Sequence, residues 1–259
     1  AYAQVDSTSP QYLSSYTITE MQYTSGSSNV VCYPNYKTEG FEFWKTVSNA
    51  EEWADINNHM NWNYRLTADI DFKDAGLIPA AIVLNGSKTN ISGTTGFSGK
   101  LDGDGHIISN ITLEDIARPW VVYNLSSSTS VIQDLTVEKL VIRAGSTVAY
   151  SRAGFIGYMG GGELINVHVR EAQISGMGYV GALVGHINNG KVQECSAADV
   201  TIDDGYGAYP ARVGGLIGYM YGNVMDRCYV RDASIRVSSS AVVEGVGGLV
   251  GYVARAPIT

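Results

Sequence analysis

Charge is scarce in this 259-residue chain, where Asp, Glu, Lys and Arg together make up 16% of the residues. Basic residues are the scarcer sign, 17 against 25 acids, for a formal net charge of −8 at pH 7. A nucleic-acid partner wants clustered Lys and Arg against its phosphates, so this balance disfavours that class. No run of 18 apolar residues occurs, so no helical membrane span is expected. The chain contains no GxxxxGK[ST] phosphate loop, no GxSxG nucleophile elbow and no HExxH metal pair. Its histidines, His59, His106, His168 and His186, share no metal-ligand spacing, so no metal and no cofactor are expected.

What the chain does have is repetition. Ala153-Gly-Phe-Ile-Gly-Tyr-Met159, Gly181-Ala-Leu-Val-Gly-His-Ile187, Gly214-Gly-Leu-Ile-Gly-Tyr-Met220 and Gly247-Gly-Leu-Val-Gly-Tyr-Val253 are variants of one segment. Their second glycines, Gly157, Gly185, Gly218 and Gly251, are separated by 28, 33 and 33 residues. A second offset aligns Leu164-Ile-Asn-Val167-His-Val169 with Val192-Gln-Glu-Cys195-Ser-Ala197 and Met225-Asp-Arg-Cys228-Tyr-Val230. A third brings Ala172 and Ile174 into line with Val200 and Ile202, and with Ala233 and Ile235. Upstream, Ile132, Leu135, Val137, Leu140 and Ile142 fit the same pattern, as do Ile108, Ile111, Leu113 and Ile116.

Each unit thus holds three short runs of alternating apolar residues separated by glycine or polar turns, and alternation at period two is a strand signal. Such a unit cannot bury its inner face alone, whereas stacked units share a continuous core. The expected fold is all-β: a right-handed parallel β-helix of about five to six coils with an N-terminal strand and helix cap. A propeller blade needs about 40 residues or more, and a helical repeat needs apolar positions three and four apart. The paired glycines are expected to allow positive φ at coil corners and close backbone approach.

At these residues the chain resembles the GLUG-repeat proteins. Gly247-Gly-Leu-Val-Gly-Tyr252 matches their GGLVGY segment, and Cys228-Tyr-Val230 their NCYV-like strand. Phe97-Ser-Gly-Lys-Leu-Asp-Gly-Asp-Gly-His-Ile107 is similar to their F-x-G-x-LDG-x-GH-x-I coil, and Tyr64-Arg-Leu-Thr-Ala-Asp-Ile-Asp-Phe72 to the strand that precedes it. The resemblance covers residues 42–259 and departs at Glu194 and Arg227, where the family often has Asn before the Cys. Those proteins are bacterial, secreted or surface-attached. They include adhesin-like proteins and non-catalytic regions of immunoglobulin-A metallopeptidases. The resemblance implies a scaffold or binding module without fixing a ligand.

Residues 1–40 do not repeat and read as a strand-rich extension. Tyr12 to Thr19 and Val30 to Tyr33 are predicted strands, with a turn at Ser25-Gly-Ser-Ser28. Residues 41–62 read as a capping helix region, with Ser48 as N-cap, Glu51 completing a capping box and an end near Asn58. Residues 63–259 form the β-helix, most clearly over 153–259. Ala1-Tyr-Ala3 resembles the end of a cleaved export signal. No strand pattern follows Val253, so an open coil edge is expected at Leu249, Val250 and Val253, to be covered by further chain or by another copy.

Candidate chemistry is thin. Asp69, Asp71, Asp74, Asp102 and Asp104 suggest calcium, but Leu113 stands where a twelve-residue loop wants its late Glu, and acids also suit turns. Asp203-Asp204 is a paired carboxylate of the kind β-helix polysaccharide enzymes use. Those enzymes need several acids and a Lys or Arg converging, and only Arg170, Arg212 and Arg231 are near in sequence. Cys195 and Cys228 occupy one offset in successive coils, as either a thiol stack or a disulfide. Parallel in-register side chains favour the stack, because bridging them needs an awkward dihedral. Cys32 has no partner in the pattern. The aromatic residues say more. Tyr158, His186, Tyr219 and Tyr252 form one column, with Tyr179, Tyr206, Tyr209 and Tyr221 in turns nearby. Facing out, the column is a platform for sugars or a protein; facing in, it is core.

The expected function is a non-catalytic extracellular or cell-surface adhesion or scaffold module. Its ligand-binding candidates are Tyr158, Tyr179, Tyr206, Tyr209, Tyr219, Tyr221 and Tyr252, and its partner is a glycan or a protein. The alternatives are a structural subunit that assembles end to end and a polysaccharide-acting enzyme on the same fold. No hydrolase or lyase activity is expected.

Overall fold

The computed structural model describes residues 21–25, 28–32, 44–84, 96–116, 119–144, 151–204, 211–222, 224–238 and 242–254. With 60% strand and 7% helix it is an all-β chain wound into a parallel β-solenoid of about four turns. That is fewer than the five to six coils anticipated. Between residues 63 and 109 the strands are short, Asn63–Leu66, Ile70–Asp71, Lys100–Asp102 and Ile107–Ser109, and a one-turn helix, Pro79–Ile82, interrupts them. The regular coils begin at Val131–Glu138.

Register follows the repeat. Leu135 pairs with Val167, and Val131–Glu138 lies beside Glu163–Arg170 throughout. His168 pairs with Ser196 and Ser196 with Tyr229, which stacks Leu135, Val167, Cys195 and Cys228 in one column. The first three are buried and Cys228 is half-buried. Leu140, Ala172, Val200 and Ala233 make a second column. Its first three members are buried, and Ala233, in the last described coil, is exposed. One apolar cluster runs from Val47 to Met220, as a shared solenoid core requires.

The coil corners match expectation in part. Glycine holds positive φ at one set of turns, Gly162, Gly190 and Gly222, but two other columns of positive φ are not glycine: Asp134, Asn166, Glu194 and Arg227 in one, and Lys139, Glu171, Asp199 and Asp232 in the other. The left-handed region costs an ordinary residue about 1 kcal/mol or more, which is why Asn suits this place and why Asn166 holds it easily. At Glu194 and Arg227 the corner is held by an ion pair across the coils. The repeated glycines serve close approach instead. A Cβ on Gly218 would lie 2.5 Å from the Val180 backbone nitrogen, and one on Gly251 2.5 Å from that of Val213. No side chain fits between backbones at that separation.

At the N-terminal end, Met21–Ser25 and Ser28–Cys32 form an antiparallel hairpin around the expected turn. Residues 12–19 lie outside the described residues. Trp44–Val47 pairs in parallel with Asn63–Leu66, and a helix, Ala50–Asp55, followed by a 3-10 turn, Ile56–Asn58, sits between the two strands. The cap is one residue later than the sequence suggests. Asn49, not Ser48, accepts from the Glu52 amide at 2.9 Å, and Glu52, not Glu51, reaches back to the Ser48 amide at 2.7 Å. The pattern shifts because adjacent residues at both ends of the motif can play the same part. Trp53 and Ile56 are fully buried, and the Trp53 indole donates to the Ile82 carbonyl at 3.0 Å.

Candidate functional site

The third side of the regular coils is one strand, Ser151–Met159, in the first coil of the ladder and two short strands that meet at the glycine segment in those that follow. Gly178–Val180 and Val184–Ile187 do this in one coil, Ala211–Gly214 and Ile217–Tyr221 in the next. Because the strands are parallel and in register, each position stacks on its counterpart. Tyr158 pairs with His186, His186 with Tyr219 and Tyr219 with Tyr252. Ring centroids along this column are 5.0, 4.7 and 5.7 Å apart, with planes inclined by 66°, 45° and 47°. The rings are tilted steps rather than one flat platform. Tyr158, His186 and Tyr219 are half-buried and Tyr252 is 37% exposed, so the column faces outward.

A second column runs alongside it. Arg152 pairs with Tyr179, Tyr179 with Arg212 and Arg212 with Gly245. The two columns interlock. The Arg212 guanidinium carbon sits 4.9 Å from the Tyr179 ring, 4.2 Å from Tyr219 and 4.6 Å from Tyr252. Arg152 sits 4.3 Å over Tyr158. Cation–π contacts of this kind are worth about 0.5–2 kcal/mol each. Tyr179 therefore does not lie in an exposed turn. It belongs to the strand Gly178–Val180 and is buried, its ring held between His186 and Tyr219 at 5.2 Å from each. Tyr221 ends the strand Ile217–Tyr221 and is half-buried, whereas Tyr206 and Tyr209 lie outside the described residues.

Charge in the ladder is uneven. Arg212 is bound to Glu244, its Nε donating at 2.6 Å, and is mostly buried. Desolvation opposes its charge, but Glu244 and the surrounding rings outweigh that and raise its pKa. Among the described residues Arg152 has no carboxylate partner; its guanidinium lies over the Tyr158 ring instead. His186 has both ring nitrogens buried and without a hydrogen-bond partner. Burial first, then Arg152 and Arg212, bring its pKa down to about 3, so the imidazole is neutral at physiological pH. The hydroxyls of Tyr158, Tyr219 and Tyr252 bond to no protein group among the described residues.

Three of the acids singled out from the sequence are engaged within the fold. Asp69 accepts from the Ile107 amide and faces His106, Asp71 accepts from Lys73 and Asn110, and Asp102 holds Arg65. Backbone amides at Ile107 and Lys73 are the leading cause of the lowered pKa of Asp69 and Asp71 respectively. Among the described residues no cluster of three His, Cys, Asp or Glu is arranged to hold a metal. Asp203 lies in register with Arg236. His168 bridges Asn166 and Ser196 at 2.8 Å each, a corner brace. Cys195 and Cys228 are free thiols donating to the Gln193 and Asp226 carbonyls at 3.1 and 3.3 Å. The Cys228 sulfur and burial together push the Cys195 thiol pKa up, so it stays protonated.

Of the expected edge, Leu249 and Val250 pack against the core and Val253 is 46% exposed. The strands of that coil, Tyr229–Val237, Val243–Gly247 and Val250–Ala254, pair on one side only among the described residues.

Arg212 was missed as a ring partner because it acts on rings in other strands, whereas Arg152 acts on Tyr158 within its own strand. A signal existed all the same: Tyr179 and Arg212 each stand two residues before the glycine that opens the repeated segment, and Arg152 stands just before Ala153, which opens its own.

No protein-family model matches the chain. It is similar to Halomucin of Haloquadratum walsbyi, 29% identical over 149 residues, which is 53% of this chain and 2% of that protein. No helix among the described residues is long and apolar enough to cross a membrane.

Proposed function

We propose that this chain is a non-catalytic extracellular or cell-surface binding module of GLUG-repeat type, which presents its tyrosine–arginine ladder to a glycan. The observation that carries the reading is the outward row Tyr158, His186, Tyr219 and Tyr252, with unengaged phenol hydroxyls at coil spacing. Rings that offer an apolar face and a polar tip are suited to sugars. The solenoid supplies rigidity, so little side-chain freedom is lost on binding. The similarity to Halomucin and the repeat resemblance both favour a surface protein. Asp69, Asp71 and Asp102 are engaged in turns and inter-coil pairs, which supports a binding role for that part of the coil over an enzymatic one.

A glycan array probed with the 259-residue chain tests this. Binding should weaken by about tenfold or more in Tyr219→Ala/Tyr252→Ala, as loss of two anchors implies, with the circular dichroism of the fold retained. Equal binding by the variant would refute the ladder as the site. Release of reducing sugar from a bound glycan would refute the non-catalytic reading.

A second reading, assembly end to end, draws on the exposed Val242, Val243, Val246 and Val253 of the last described coil. Stacked β-coils need such apolar edges covered. Sedimentation over a hundredfold dilution should show a concentration-dependent oligomer; a constant monomer would dispose of this reading.

A further inference from the structure

We propose that the ladder's ligand is an acidic glycan of the uronate class, and that Arg152 is the residue that binds its carboxylate. The inference rests on the glycan reading above and specifies the charge of the ligand. Its basis is the contrast between two arginines in one column. Arg212 is enclosed by three rings and neutralised by Glu244. Arg152 has the same place two coils earlier and is stacked on Tyr158, but no carboxylate among the described residues meets it. The segments that precede the two strands in sequence, 145–150 and 205–210, contain no Asp or Glu.

Several cations on the coil faces are answered in place. Arg65 pairs with Asp102, Arg170 with Glu138, Lys191 with Glu163 and Arg143 with Glu114. Arg231 and Arg236 of the last described coil, like Arg152, meet no carboxylate among the described residues, but Arg152 alone of the three is stacked on a ring of the ladder. Stacking on Tyr158 fixes the plane of the guanidinium and leaves its edge N–H groups free to donate in parallel to a carboxylate. The Tyr158 hydroxyl beside it, and those of Tyr219 and Tyr252 further along the column past His186, can bond sugar hydroxyls. That combination, one planar cation at one end of a column of rings with free hydroxyls, fits a sugar acid better than a neutral sugar or an acidic peptide.

The test uses oligogalacturonate and its fully methyl-esterified form, which keep the same sugar backbone and differ in charge. By calorimetry with the unaltered chain, the acid should bind about tenfold tighter or more than the ester, the size of one charge-assisted hydrogen-bond pair. The difference should shrink with added salt and disappear in Arg152→Gln. Arg152→Lys, which keeps the charge and loses the planar fork, should recover part of it. Equal binding of acid and ester, abolished by Tyr219→Ala/Tyr252→Ala, would overturn the inference and leave the glycan reading standing. Binding of neither oligomer would overturn the inference, with the glycan array deciding the broader reading. Equal affinity for poly-glutamate would overturn it in favour of an acidic peptide. Should Arg152→Gln fail to fold, the acid-against-ester comparison on the unaltered chain still decides.

Discussion

Val167→Asp is expected to leave no cooperative thermal transition. Val167 is fully buried, and its column neighbours are Leu135 and Cys195, an aliphatic side chain and a thiol that is itself held protonated. The Val167 amide donates to the Cys195 sulfur at 3.5 Å, so the column offers a carboxylate no cation and no free donor. An acid placed there must stay unpaired or take up a proton, and either way several kcal/mol are lost. A domain stable by about 5–15 kcal/mol does not absorb that easily. The position aggravates the loss. A solenoid is held by interfaces between neighbouring coils, and the Val167 coil joins the N-terminal coils to those bearing His186, Tyr219 and Tyr252. Val167→Ala supplies the scale, because it removes two buried methyl groups at a cost of about 2 kcal/mol and keeps the core apolar. Thermal melts followed by circular dichroism check both. A wild-type melt for Val167→Asp would mean that the column is not interior.

The column that makes this argument possible was readable from the amino acids because a parallel solenoid stacks like on like. An offset between repeats in the sequence becomes a hydrogen-bonded register in space, so aligning Val167 with Cys195 already stated a contact. The same logic found Tyr158, His186, Tyr219 and Tyr252. It did not find which way they face, since buried residues such as Met159 and Ile156 flank the column within the same strand. Nor did it find the corners. Asp134, Lys139, Glu171 and Arg227 adopt positive φ although nothing in a charged side chain announces it, while glycine marks only some of the turns, such as Gly162 and Gly190, and elsewhere serves close approach. Tyr179 was read as a turn residue because a strand of three residues, Gly178–Val180, is too short to show alternation. Arg212 gained meaning only when neighbouring strands and coils were brought together around it.

Asp55→Ala should destabilise the protein by about 1–3 kcal/mol, the range for losing a hydrogen bond to a buried charge whose acid partner is one-third exposed. Lys45, in the strand Trp44–Val47, is only 5% exposed, and its ammonium donates to Asp55 at the end of the helix Ala50–Asp55. Without that acid a buried ammonium has no counter-charge, whereas Lys45→Met/Asp55→Leu removes both charges and should regain most of the loss. The pair also makes a statement about pH. The Lys45 hydrogen bond, helped by Asn58 and opposed by burial, holds the Asp55 pKa below its ordinary 3.8. A carboxylate whose folded pKa is depressed contributes stability that is fully present above the unfolded value and is lost as pH falls through the folded value. Denaturant midpoints should therefore be insensitive to Asp55 between neutral pH and about pH 5. They should decline below the ordinary value of 3.8 more steeply in the wild type than in Lys45→Met/Asp55→Leu. Parallel acid limbs in the two proteins would show that the pair adds nothing beyond its packing. The helix that seals the first coil would then be held by Trp53 and Ile56 alone.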